Sequence, residues 1–388
     1  METHLENPVL PQGVTADTIS LLLGHPDPTA LATPQFQAAA QRVMNSPQAY
    51  QALAYGDEPG NPALIEYLAA RISREQQVTL RRENLMIVAG STHAVDMITR
   101  LYTKFGSAVI VEAPTYADAL HIFRDHQVAL HSAPMDQDGV IIAEFEKLLK
   151  QLDAQGKSPS LYYTIPNFHN PTGITTSVQR RLEIIRLAQE YNFTIVEDDV
   201  YRDLAFDSAI PPSFFALANG KNVIQVGSFS KTLAPGLRLG WVVASADTIH
   251  GFVFCGTTQM GGGASPLAAQ IVAEYCHAGY WDAHLNDLRN LYRLRRDTML
   301  NALAEHLPSE VHWTKPSGGF FVWVTLPDAL SGAEVKKMAS ERGVLLAAGG
   351  GYFINPDDGK HNLRLTYSFA PLNDIRTAIG ILGDVIAG

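Results

Sequence analysis

Cysteine is scarce: the 388 residues include two, Cys255 and Cys276, and their spacing suits no metal site. So few thiols exclude a disulfide framework and point to a reducing compartment. Clustered basic charge is also missing, since 29 Lys and Arg stand against 39 Asp and Glu for a formal charge of −10. Nucleic acid and anionic membrane both need a concentrated basic surface, so neither is expected as a partner. No apolar stretch reaches the roughly 18 uninterrupted residues of a membrane helix. The opening METHLENPVLPQG has neither a basic nor an apolar leader segment, which makes a cytoplasmic location the expectation. The 13 histidines form no HExxH and no paired helical spacing, so no metal is expected.

What is present is a globular composition, 46% hydrophobic without low-complexity tracts, long enough for two or three folding units. From about residue 85, short apolar runs alternate with longer helical stretches: NLMIVAG, AVIVEAP, SLYYTIP, FTIVEDD and NVIQVGS. Strands apolar on both faces and separated by helices predict a mostly parallel sheet covered on both sides, an α/β domain. The stretch 279–306 is amphipathic, with no Pro and no Gly after its start, and predicts one long helix. Beyond it GGFFVWVTLP, GVLLAAGGGYF and NLRLTYSFA predict strands, and SGAEVKKMASERG and NDIRTAIGILGDVIAG helices, a smaller α+β domain. The expected division is an arm and short helix over 1–45 packed on the C-terminal domain, a large domain over 46–290 and a small one over 291–388.

In parallel sheets ligands bind beyond the carboxyl ends of the strands. At those ends lie Gly90-Ser91-Thr92, Pro114-Thr115-Tyr116, Asn170-Pro171-Thr172-Gly173, Asp198-Asp199-Val200-Tyr201 and Ser228-Phe229-Ser230-Lys231. The chemically interesting residues therefore share one edge. Each has a plain alternative: Lys231 and Arg238 as surface charges, Gly90-Ser91-Thr92 as an N-cap, Asn170 as a turn former, Tyr116 as core and Arg364 as a buried ion-pair member.

Read in order, YGDEPGNPALIEYLA, IPNFHNPTG, IVEDDVY, SFSKTLAPGLRLGW and NLRLTYSFA resemble the fold-type-I pyridoxal phosphate enzymes, in particular the class I/II aminotransferases. The wording is most similar to the branch of 2-aminoadipate and kynurenine aminotransferases and the aminotransferase-like domains of MocR regulators. The resemblance implies a fold-type-I large domain with a mostly parallel, seven-stranded-type sheet plus a smaller α+β domain. It implies pyridoxal 5′-phosphate as cofactor and amino transfer between an amino acid and a 2-oxo acid.

The resemblance also implies roles. Lys231 would hold the cofactor aldehyde as an imine and later carry the substrate proton. Ser91, Thr92 and the Gly90 turn, with Ser228, Ser230 and Arg238, would hold the phosphate. Asp198, three residues before Tyr201, would face the pyridine nitrogen in preference to Asp199. Tyr201 and Asn170 would bond the phenolic oxygen, and Tyr116 would stack on the ring. Arg364 would clamp the substrate carboxylate, with Asn170 beside it. Gly24, His25 and Phe320 would lie near the substrate. Tyr55 would reach the phosphate of a second copy, making a homodimer with shared sites.

The sequence departs from the family at His25, where an apolar residue is usual, at the Gly261-Gly262-Gly263 run, and in LLAAGGGYF, which lacks a proline. Residues 1–41 and 251–278 contain no Lys or Arg, which disfavours a dicarboxylate substrate and favours an apolar or aromatic one near Phe320 and Phe321. Two alternatives remain. One is a lyase, decarboxylase or cyclising enzyme on the same scaffold. The other is a MocR-like ligand sensor, disfavoured by the acidic charge and by a chain that opens directly on the arm.

Overall fold

The computed structural model describes residues 18–207 and 209–388. Its centre is a sheet of eight strands in the order Leu85–Val88, Gly240–Val243, Val223–Ser228, Thr194–Asp198, Leu161–Thr164, Ala108–Ala113, Ala129–Asp136 and Gly139–Val140. Gly240–Val243 runs antiparallel to both neighbours and Gly139–Val140 is a two-residue hairpin return; the other pairings are parallel. The seven-stranded expectation is thus met with one short strand added.

The inner parallel strands are buried on both faces, as near-continuous apolar runs require. Close packing has a specific demand at Gly227, where a Cβ would stand 2.1 Å from the Trp241 ring. Glycine there lets the indole of the antiparallel strand lie flat on its neighbour.

A second, antiparallel sheet of four strands joins His312–Trp313, Phe321–Thr325, Asn362–Thr366 and Ala347–Ala348. Helices Gly332–Glu341 and Leu372–Ala387 accompany it. The helix Tyr280–His306 packs along Leu372–Ala387 and is continuous through position 290.

The arm divides its contacts, which corrects the expectation that it packs on the C-terminal domain. Ile19–Ser20 does pair in parallel with Val344–Leu345. The helix Pro34–Met44, capped by Thr33, instead packs on Pro266–His277, and Arg42 pairs with Glu274 at 2.6 Å. The buried stripe of that helix, Ala39 and Val43, meets a face whose own buried residues are Ala269, Val272 and Ala273. Between strand and helix, Leu22–His25 crosses toward the carboxyl edge of the large sheet.

Candidate active site

A cavity of about 650 Å³ opens where that edge meets the arm and the four-stranded sheet. Ser91, Thr92, Tyr116, Asn170, Asp198, Tyr201, Ser230, Lys231, Arg238 and Arg364 line it, with Gly24 and His25 on the arm side. These residues come from five separate strand ends and from the second sheet.

Arg238 marks one end. The helix Gly90–Tyr102 starts there with no side-chain cap at Ala89, so its first N–H groups and its dipole face the cavity. Gly90 has φ +84°, and a Cβ on it would come within 2.8 Å of Arg238 Nη2. Glycine thus lets a guanidinium settle beside a helix N-terminus, which makes a cradle for a dianionic phosphate. Ser230 is on this cavity. Ser228 is not: its Oγ accepts from the Ser230 N–H at 3.1 Å and faces the Leu239 carbonyl. The expected phosphate contact of Ser228 is corrected accordingly, because the side chain of a strand's last residue closes the turn behind Lys231.

Lys231 lies at the centre, its Nζ donating to the Gly24 carbonyl at 3.0 Å. Burial, then the nearby Arg364, lowers its pKa to about 8, against the opposing pull of Asp198. Asp198 ends the strand Thr194–Asp198; its Oδ2 accepts from the Tyr163 hydroxyl at 2.6 Å, while its Oδ1 is buried without a partner. Burial raises the pKa of this carboxyl to about 6 despite the Tyr163 bond. An unpaired buried carboxylate oxygen is costly. A protonated ring nitrogen would satisfy it.

Asp199 presents no such vacancy. Asn167 at 2.6 Å bonds one oxygen, and Arg202 at 3.1 Å and Gln225 at 3.3 Å bond the other. Tyr201 and Asn170 line the same wall of the cavity, and burial pushes the Tyr201 phenol up. The buried Arg181 ties the 166–176 segment in place through the carbonyls of Pro166 and Thr176 and the Asn167 side chain. That anchorage fixes where Asn170 projects.

Arg364 sits 8% exposed on the strand Asn362–Thr366. Its Nη1 donates to Asn170 Oδ1 at 3.1 Å and its Nη2 to the Leu22 carbonyl at 2.6 Å. The guanidinium lies 4.6 Å from the Phe321 ring and 5.1 Å from that of Tyr352. Its Nε is buried without an acceptor, so the fork has a vacancy for a carboxylate.

Phe320 is corrected. It is fully buried behind the cavity between Tyr201 and Tyr292, and the next residue, Phe321, lines the cavity. Adjacent strand residues face opposite sides. Tyr55 is 95% exposed and lies away from the cavity beside Gly261.

Two polar lining residues, Tyr163 and Asp118, are not legible as site residues in the sequence. Asp118 follows Tyr116 in the first turn of the helix Ala117–Asp125, which could have drawn attention to it. Tyr163 had no such signal, because Tyr162 beside it is equally buried.

Residues 19–382 match the family described as aminotransferase class I and II, and the chain belongs to that family. It is a transaminase, with pyridoxal phosphate as its cofactor. An aromatic-amino-acid aminotransferase of Thermococcus litoralis is 34% identical over 96% of this chain and 88% of its own length. A 2-aminoadipate transaminase of Thermus thermophilus is 32% identical over 95% and 90%. The structure of a kynurenine aminotransferase from Pyrococcus horikoshii superposes with a TM-score of 0.91 at 35% identity, covering 96% of this chain and 91% of that one.

Among the described residues no helix is long and apolar enough to cross a membrane, and no cluster of His, Cys, Asp or Glu could hold a metal.

Proposed function

We propose that the enzyme moves the amino group of an L-amino acid with an apolar or aromatic side chain to a 2-oxo acid, as a cytoplasmic homodimer. The supporting observation is the set of unfilled groups in one cavity: a buried Asp198 oxygen, a buried Arg364 nitrogen and the Lys231 amine between them. When bound, pyridoxal phosphate supplies an aldehyde that condenses with amines and a ring that draws electrons from Cα. Asp198 would hold the ring nitrogen protonated through Oδ1. Ser91, Thr92, Ser230, Arg238 and the helix N-terminus would hold the phosphate. Tyr116 would lie against the ring, and Tyr201 with Asn170 would bond its phenolic oxygen. Lys231 Nζ, released when substrate amine takes its place, would take the proton from Cα and return it on the cofactor side. Arg364 would fix the α-carboxylate so that the Cα–H bond points at that amine.

Beyond Asp118, which accepts from the Tyr116 hydroxyl, and His25, no further acid, base or nucleophile among the described residues lines the cavity to divert the reaction, which favours amino transfer over elimination or decarboxylation. A single-turnover panel of amino acids, without oxo acid, tests this. Loss of the bound cofactor's visible absorbance should match stoichiometric release of the corresponding 2-oxo acid, and added 2-oxo acid should restore it. Catalytic release of ammonia or carbon dioxide would establish the lyase reading instead.

Arg364→Lys is expected to raise KM for the amino acid by about tenfold or more, since one ammonium cannot replace two parallel hydrogen bonds. Steady-state kinetics check it; an unchanged KM would remove Arg364 from the carboxylate site.

Support for the dimer comes from the surface. Tyr50, Leu53, Tyr55, Phe254 and Met260 are large apolar side chains left exposed on the segments 49–60 and 254–266. A second copy would cover them and bring Tyr55 to the phosphate end of its partner's cavity. Mixing Tyr55→Phe and Lys231→Ala subunits should then form heterodimers with one intact site. Activity above that of either variant alone is the expected outcome, and no recovery would place each site within one chain. The two cysteines are free and buried, in keeping with a reducing compartment.

A further inference from the structure

The cavity contains one charged side chain that none of these roles uses. Among the described residues two carboxylates and three cations line it; of the carboxylates, Asp198 has the ring nitrogen to face and Asp118 has no assignment. Its three cations all have tasks: Lys231 with the amine, Arg238 with the phosphate, Arg364 with the α-carboxylate.

Asp118 stands in the first turn of the helix Ala117–Asp125, where the helix dipole favours an anion. Its Oδ2 accepts from the Tyr116 hydroxyl at 2.6 Å, and among the described residues no cation forms an ion pair with it. Its charge is felt at Lys231 and at Tyr352, the ring that lies against Arg364. The carboxylate lines the cavity beside the wall formed by Tyr116, to whose hydroxyl it is bonded, and we place it on the substrate side. His25, on the arm side of the same cavity, is a poor counter-charge, because burial, then Lys231, lowers its imidazole pKa.

We propose that Asp118 reads the distal end of the substrate side chain, favouring amino acids that end in a hydrogen-bond donor over those that end in a carboxylate. A phenol, an aryl amine or an ammonium fits this description. The inference rests on the reading above that Arg364 and Lys231 hold the α-carboxylate and the α-amine. With those two groups fixed, the side chain leaves Cα toward the open face of the cavity. A distal carboxylate there would meet Asp118 with no cation left to receive it. A distal donor would meet an acceptor already oriented by Tyr116. Such polar complementarity discriminates more strongly than apolar contact, because a mismatch leaves a charged group unpaired.

The same cavity serves both half-reactions, so the bias extends to the amino acceptor. Glyoxylate or pyruvate should outperform 2-oxoglutarate. The 2-aminoadipate-transaminating relative, at 32% identity, is named for a substrate with a distal carboxylate, so the bias proposed here resides in this chain's own lining.

The test compares kcat/KM within pairs of similar size: tyrosine with phenylalanine, ornithine with norvaline, and 2-aminoadipate with norleucine. Each is measured on the wild-type holoenzyme, on Asp118→Asn and on Asp118→Ala. The wild-type enzyme should prefer tyrosine and ornithine within their pairs and disfavour 2-aminoadipate. Asp118→Ala should abolish both preferences and raise 2-aminoadipate relative to norleucine by about tenfold or more, the scale of one charge interaction near a protein surface. Asp118→Asn, which keeps an acceptor without the charge, should retain part of the tyrosine preference and lose that for ornithine. Ratios are the readout because any tilt of Tyr116 caused by either substitution acts on all six substrates alike and cancels. Ratios unchanged in both variants, or a wild-type enzyme that prefers 2-aminoadipate to norleucine, would overturn the proposal. A wild-type enzyme that transaminates none of the six would instead overturn the amino-transfer reading beneath it.

Discussion

Lys231→Ala should lower turnover by about a thousandfold or more and strip the protein of the visible absorbance that marks covalently held cofactor. Two functions vanish together in this substitution: the amine that anchors the aldehyde and the base that reaches Cα. Among the described residues no second lysine lines the cavity to replace either. The depressed pKa adds a pH test. The neutral amine is the nucleophile, and with its pKa near 8 a substantial fraction is neutral at pH 7.5, whereas an ordinary lysine would be almost wholly protonated. Cofactor uptake by the apoenzyme should therefore accelerate as pH rises through about 8 and level off above it. A rate still climbing at pH 10 would mean an unperturbed lysine. Full activity in Lys231→Ala would remove this residue from the chemistry altogether.

The parts of the fold that were easy to read are those where burial imposes a pattern. Strands Ala108–Ala113 and Val223–Ser228 are covered on both faces and read as unbroken apolar runs. The strand Ala129–Asp136 was missed because it is only partly buried and carries Pro134 and several polar residues, which resemble a loop. Gly240–Val243 was missed for a different reason: it directly follows the Lys231 to Arg238 segment, and in the sequence the two merge.

The candidate site divides along the same line. A strand end can be located from sequence, which is why Ser91, Asn170, Asp198 and Lys231 stand out by their positions in the chain. The direction of a side chain at that end depends on register, and register is invisible in a strand apolar on both faces. The sequence does not separate Phe320 from Phe321 as the ring beside the substrate, and it suggests for Ser228 a phosphate that its hydroxyl does not face, for this reason. The arm helix posed a third difficulty. Its apolar face says that it packs and not on what, and its partner 232 residues further along is a matter of tertiary structure alone.

Asp198→Asn should lower turnover by several orders of magnitude while leaving the protein folded and able to take up cofactor. The argument begins with Oδ1, which is buried and has no partner, in a carboxyl whose pKa burial has raised to about 6. An acid in that state stores unfavourable electrostatic free energy that a protonated ring nitrogen would relieve, giving a short charge-assisted contact in a site shielded from water. Asparagine keeps the shape and the Tyr163 contact but carries no charge to hold the nitrogen protonated. The electron demand that lowers the barrier to Cα deprotonation would fall with it, and each ~1.4 kcal/mol lost costs a factor of ten. Phosphate and carboxylate contacts lie elsewhere, at Arg238 and Arg364, so cofactor and substrate binding should weaken far less than kcat. The neighbouring acid cannot substitute, because the oxygens of Asp199 are already occupied by Asn167, Arg202 and Gln225. Single-turnover rates with saturating amino acid read the effect directly. A decrease below about tenfold, with cofactor bound, would show that Asp198 does not face the ring nitrogen, and Asp199→Asn measured alongside should then prove no more damaging than loss of its structural hydrogen bonds.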